Sequence, residues 1–63
     1  MKTETKHVET VVTDKYTFEV YREASNSWYA NATTNDEGEF FYYKWTTGKT
    51  KKSVLLSIDG FVN

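Results

Sequence analysis

Glu39-Phe40-Phe41-Tyr42-Tyr43-Lys44-Trp45-Thr46 is the stretch on which the reading of this chain turns. Six of its eight side chains are aromatic or β-branched, types that suit a pleated, half-buried surface. Side chains two apart share a strand face, so Phe41, Tyr43 and Trp45 point one way and Phe40, Tyr42 and Lys44 the other. Just upstream stands Asn35-Asp36-Glu37-Gly38. Asn and Asp start type I turns by bonding their own backbone, and Gly closes them in the left-handed conformation. Residues 28–34 are therefore read as the partner strand of a hairpin. With 35–38 as the loop, Thr34 opposes Glu39, and Phe41, Tyr43 and Trp45 oppose Ala32, Ala30 and Trp28. Large rings against small side chains pack closely, so this face is the expected core and brings the two tryptophans together. The other face carries Tyr29, Asn31 and Thr33 beside Phe40, Tyr42 and Lys44.

Upstream of the hairpin, Tyr16 to Glu23 alternates cleanly. Tyr16, Phe18 and Val20 face one way and Thr17, Glu19, Tyr21 and Glu23 the other, the pattern of a half-buried strand. Val8 to Thr13 is rich in β-branched residues and reads as a strand before it, joined through a turn at Asp14-Lys15. A three-residue loop there aligns Val8 and Val12 with Val20 and Tyr16, but it also sets Glu9 against Glu19, an unfavourable like-charge pair. Residues 1–6 hold nothing apolar beyond Met1 and are expected to fray.

Downstream, Thr47 to Lys52 reads as a turn or loop, and residues 53–63 are ambiguous. Val54, Leu55, Ile58, Phe61 and Val62 fit a helical stripe. Gly60 in the interior and two lysines at the positive end oppose a helix, which favours a strand with Val54, Leu56 and Ile58 on one face. The chain is thus expected to be a single small all-β domain over 1–63, an antiparallel meander of four to five strands forming a curled sheet or SH3-like barrel. The alternative is a four-stranded sheet with a short C-terminal helix.

Sixty-three residues bury a smaller share of their surface than a larger domain does. Eleven aromatic residues supply the bulk of a core, since each buries roughly 150–250 Å². The absence of cysteine removes disulfides and thiolate metal sites. A single histidine, His7, has no acidic residues spaced to complete a metal site, so no cofactor is expected. The first residues lack the apolar core of a signal peptide. Val54-Leu55-Leu56, the longest apolar run after them, is far too short to span a bilayer. A soluble, cytoplasmic protein without membrane contact is expected, and Asn31-Ala32-Thr33 is read as a chance glycosylation match.

Net charge is −1, which gives no overall field for nucleic acid. Residues 1–38 hold four basic and seven acidic side chains, a net −3, and residues 39–63 hold four and two, a net +2. Gly48-Lys49-Thr50 echoes the end of a phosphate-binding loop, but that motif needs a glycine where Tyr43 stands and a helix to follow. No serine is cued toward His7 for nucleophilic catalysis. The carboxylate pairs Glu9 with Glu19 and Glu37 with Glu39 read as surface and turn residues rather than as a glycosidase pair. The expectation is no enzyme, and no catalytic residue.

Rigid amphipathic rings left outside the core are what protein-binding surfaces use. Tyr21, Tyr29, Phe40, Tyr42 and Lys44 are therefore the candidate partner-binding residues. They suit a binding module, small regulator or inhibitor that contacts another protein. Stacked aromatics beside lysines also suit single-stranded nucleic acid on a small β-barrel, although the acidic first half repels phosphate. A homodimer through an uncovered edge strand is a third option.

Overall fold

The computed structural model describes residues 5–35 and 40–62. Four strands, β1 (Lys6–Val12), β2 (Tyr16–Ala24), β3 (Ser27–Thr34) and β4 (Phe41–Gly48), precede one helix, α1 (Lys51–Val62). The strands form an antiparallel meander in the order β1-β2-β3-β4, and the sheet is not closed into a barrel. This is the four-stranded sheet with a C-terminal helix, so the strand reading of residues 53–63 is corrected. The expected fraying of residues 1–6 lies mostly outside the described residues, although Lys6 already pairs with Arg22.

Gly60 and one of the two lysines that oppose a helix are accommodated locally, and the helix start is capped. Thr50 caps it, its Oγ1 accepting the Ser53 N–H at 3.1 Å, as a Thr at this position does. Lys51 at the positive end is compensated by Glu9, whose Oε1 lies 2.8 Å from Lys51 Nζ. Gly60 is exposed, and no heavy atom lies within 4 Å of where a Cβ would stand. Its cost is only that of intrinsic propensity. Against these stands the apolar stripe: Val54 and Ile58 are buried, and Leu55 packs against the same core.

Helix α1 covers one face of the sheet over β2, β3 and β4. Beneath it Phe18, Val20, Ala30 and Ala32 form the core with Val54 and Ile58. The Phe61 ring meets Tyr16 at 5.3 Å and Trp45 at 5.1 Å, both edge-on, and Trp45 lies 5.0 Å from Phe18. The small Ala30 and Ala32 stand opposite Val20 and Phe18 across the β2–β3 ladder, which leaves room for these rings.

The registers differ from those read off the sequence. In the first hairpin Val12 opposes Thr17 rather than Tyr16, and Val11 opposes Phe18, leaving Val12 71% exposed. The slip sets Thr10 against Glu19 and Glu9 against Val20, so the Glu9–Glu19 clash does not arise. In the second hairpin Thr34 pairs with Phe40: the Thr34 N–H donates to the Phe40 carbonyl, and the Phe40 N–H donates to Thr34 Oγ1. The connection is thus one residue longer than the expected four. Asn35 is held elsewhere, its N–H bonding the Lys15 carbonyl and its side chain joining Thr13 O and the Thr17 hydroxyl. Residues 36–38 of the turn expected over 35–38 lie outside the described residues.

A one-residue slip turns every following side chain to the other face. Phe41 accordingly opposes Thr33 and Tyr42 opposes Ala32. The ladder resumes with Thr46 opposite Ala30, so Tyr43, Lys44 and Trp45 together face Asn31 in a wide bulge. Lys44 sits there at φ 51°, and its N–H donates to Asn31 Oδ1 at 2.9 Å. The bulge returns Trp45 to the core. Of the three rings expected inside, only Trp45 is: Phe41 and Tyr43 are 60% and 63% exposed. Trp28 opposes Gly48 rather than Trp45.

Candidate functional site: the uncovered sheet face

The face away from α1 has no second layer among the described residues. Across it runs a ladder of rings, one from each strand. His7 on β1 meets Tyr21 on β2 edge-on at 5.3 Å, and Tyr21 stacks on Tyr29 of β3 at 5.3 Å and 15°. Tyr29 then meets Tyr43 of β4 at 5.7 Å. Two of these contacts follow directly from register, since His7 opposes Tyr21 and Tyr21 opposes Tyr29. Tyr43 joins because the bulge swings it over. Although it lies opposite the core, Tyr29 is only 6% exposed, shielded by its neighbours in the ladder.

Lys44 closes the β4 end of the row. Its ammonium lies 5.1 Å from the centre of Tyr29 and 5.6 Å from that of Tyr43, both within cation–π range. The same Nζ donates to both carboxylate oxygens of Glu23 at 3.2 and 3.3 Å, and Ser27 Oγ also donates to Glu23. Nearer the centre, the Tyr21 hydroxyl donates to Glu19 Oε1 at 3.2 Å. Burial first, then the Glu19 charge and this hydrogen bond, raise the pKa of Tyr21. Burial first, then Tyr43 and Glu23, raise that of Tyr29. Both phenols therefore remain neutral donors across the physiological range.

Of the five residues singled out from the sequence, Tyr21, Tyr29 and Lys44 come together here. Phe40 and Tyr42 do not join them. They pair with one another at 6.4 Å, and Tyr42 shares the side of Ala32. Tyr43 and His7 were missed. His7 adjoins the residues expected to fray, yet its position opposite Tyr21 follows once the first strand pairs with the second. Tyr43 depends on a bulge that no glycine announces.

Glu9 and Glu19 lie on opposite faces of the sheet, with Glu9 bound to Lys51, so they cannot flank one bond. Glu37 and Glu39 lie outside the described residues. Gly48-Lys49-Thr50 does lead into a helix, contrary to expectation, but Tyr43 still stands where the phosphate motif needs glycine. Among the described residues no group of three or more His, Asp or Glu is placed to hold a metal ion. An open cleft of about 450 Å³ lies between the Thr13–Tyr16 loop and the Phe61-Val62 end of α1. No helix of the described residues is long and apolar enough to cross a membrane. Comparison of the chain with protein-family models, curated proteins and solved structures returns no match.

Proposed function

We propose that this chain is a non-enzymatic binding domain, a small regulator or inhibitor, that recognises another protein through the uncovered face of its sheet. The observation that carries the reading is the four-strand ladder from His7 to Tyr43, flanked by exposed Phe41 and by the Glu23–Lys44 pair. Rings braced by one another lose little freedom on binding, and tyrosines with threonines around them supply both area and hydrogen bonds. Phe40 and Tyr42 form a second exposed pair at the hairpin end, apart from this ladder.

Nucleic acid is the weaker reading. Lys44 is engaged by Glu23 and Lys51 by Glu9, so half the lysines of the basic C-terminal part already have carboxylate partners. Edge pairing is hindered as well, because β1 is irregular between His7 and Glu9 and β4 bulges after Tyr42. Bulges protect sheet edges.

The test is affinity capture from lysate followed by direct titration of the captured protein. Phe41→Ser with Tyr43→Ser, both exposed positions, should abolish that binding while the far-ultraviolet circular dichroism stays native. Undiminished binding by the double variant would remove the reading. Binding of single-stranded oligonucleotides at low salt would favour nucleic acid instead, and concentration-dependent sedimentation would favour self-association.

A further inference from the structure

Resting on that reading, we infer that the partner presents a basic side chain, an arginine, to the Glu19–Tyr21 corner of the face. Among the described strand residues, the charged side chains on this face are Glu19, Glu23 and Lys44, a net −1. Glu23 is compensated by Lys44. Glu19 has no cation against it among the described residues: its hydrogen bond is to the neutral Tyr21 phenol. The uncompensated charge therefore sits on a central strand, between Thr10 of β1 and Asn31 of β3.

The chain itself shows how this face holds a cation. Four residues along β2 from Glu19, Glu23 takes an ammonium that also rests on two tyrosine rings. Glu19 beside Tyr21 offers the same carboxylate-and-tyrosine chemistry with the cation's place open. A docked protein strips water from this centre, where a lone carboxylate is costly unless the partner supplies the opposite charge. Guanidinium suits the site better than ammonium. Glu19 Oε1 and the Tyr21 oxygen are two acceptors 3.2 Å apart, and the planar donor fork of arginine engages two such acceptors at once. Other occupants of the face answer its charge less well. A second copy would bring another net-negative face against it, and a nucleic acid would bring phosphates.

The test uses the whole chain, nitrogen-15 labelled, titrated with N-acetyl-arginine amide and, separately, with its neutral isostere N-acetyl-citrulline amide. Saturable amide shifts are expected at Glu19, Tyr21, Thr10 and Asn31 with the arginine probe alone. Half-saturation should fall at about 10–100 mM, as befits one exposed ion pair with one neutral hydrogen bond. Glu19→Gln keeps the size of the side chain and should weaken the probe about fivefold. Glu9→Gln, on the helix side, should leave it unchanged. Equal shifts with citrulline, shifts centred elsewhere, or indifference to Glu19→Gln would each overturn the inference. The citrulline comparison needs no variant and so stands even if a substitution harms folding. Loss of this result with the partner still sensitive to Phe41 and Tyr43 would leave the protein-binding reading in place. Arginine binding without any such partner would do the reverse.

Discussion

At Lys44 the backbone turns left-handed in the middle of a strand, at φ 51°. For a residue with a Cβ that conformation costs about 1–2 kcal/mol, and here it is held by the Asn31 side chain and by the pairing on either side. The same turn delivers the ammonium to Glu23 and the Tyr43 ring to Tyr29. Lys44→Ala should lose the ion pair and keep the strain, whereas Lys44→Gly should lose both. The glycine variant is expected to be the more stable of the two by about 1 kcal/mol in urea denaturation, less whatever freedom glycine gains when unfolded. Equal midpoints would show that the bulge relaxes in solution. Tyr21 and Tyr29 give a second residue-scale expectation. Their folded pKa values are raised above the ordinary value of about 10, so the fold prefers them neutral. That contribution is present below about pH 10 and is lost as pH rises through the higher folded values. Alkaline unfolding should accordingly be steeper in the native chain than in Tyr29→Phe, followed by circular dichroism between about pH 9 and 12.

Elements here are fixed by close approaches as much as by apolar pattern. A Cβ built on Gly48 would lie 2.9 Å from Ser53 Cβ, because β4 passes into α1 through only Lys49 and Thr50. Gly48→Ala must therefore push the helix start away from the strand, and should destabilise by about 1–3 kcal/mol. Gly60→Ala meets nothing and should stabilise by about 0.5–1 kcal/mol. Thermal melts of the two variants should shift in opposite directions. These glycines also mark the limits of sequence reading. The alternation of Tyr16 to Glu23 correctly placed Phe18 and Val20 inside. The aromatic run from Phe40 was correctly read as a strand, but its face depended on the length of a loop, and Asn35 bonds across to Thr13 and Thr17 instead of starting a four-residue turn. The helix was legible in the spacing of Val54, Ile58 and Phe61. Gly60 with Lys51 and Lys52 outweighs it in the sequence, yet Gly60 is exposed and Lys51 is ion-paired with Glu9. The candidate surface was half legible: Tyr21 and Tyr29 follow from strand alternation, whereas Tyr43 follows from a left-handed lysine that no local pattern signals.

As a whole the molecule is thin, its Cα trace measuring 41 × 21 × 14 Å. One sheet with one helix leaves a core in which, among the described residues, only Phe18, Val20 and Val54 are large and fully enclosed. A buried Phe→Ala change costs about 3–5 kcal/mol, comparable with the whole stability of a small domain, about 5 kcal/mol at the low end. Phe18→Ala should therefore keep no more than about 2 kcal/mol of stability and populate its unfolded state measurably at 25 °C by nuclear magnetic resonance dispersion; a native spectrum would show that Trp45 and Phe61 collapse into the space. Strand β1 stands apart from this centre. The helix passes over the other three strands, and β1 keeps its ladder with β2, the Val11 contact and the Lys51–Glu9 tether. Deuterium should consequently enter the amides of residues 9–12 well before those of β2 and β3. His7 travels with that strand, so the ring ladder is complete only while its outermost rung is seated.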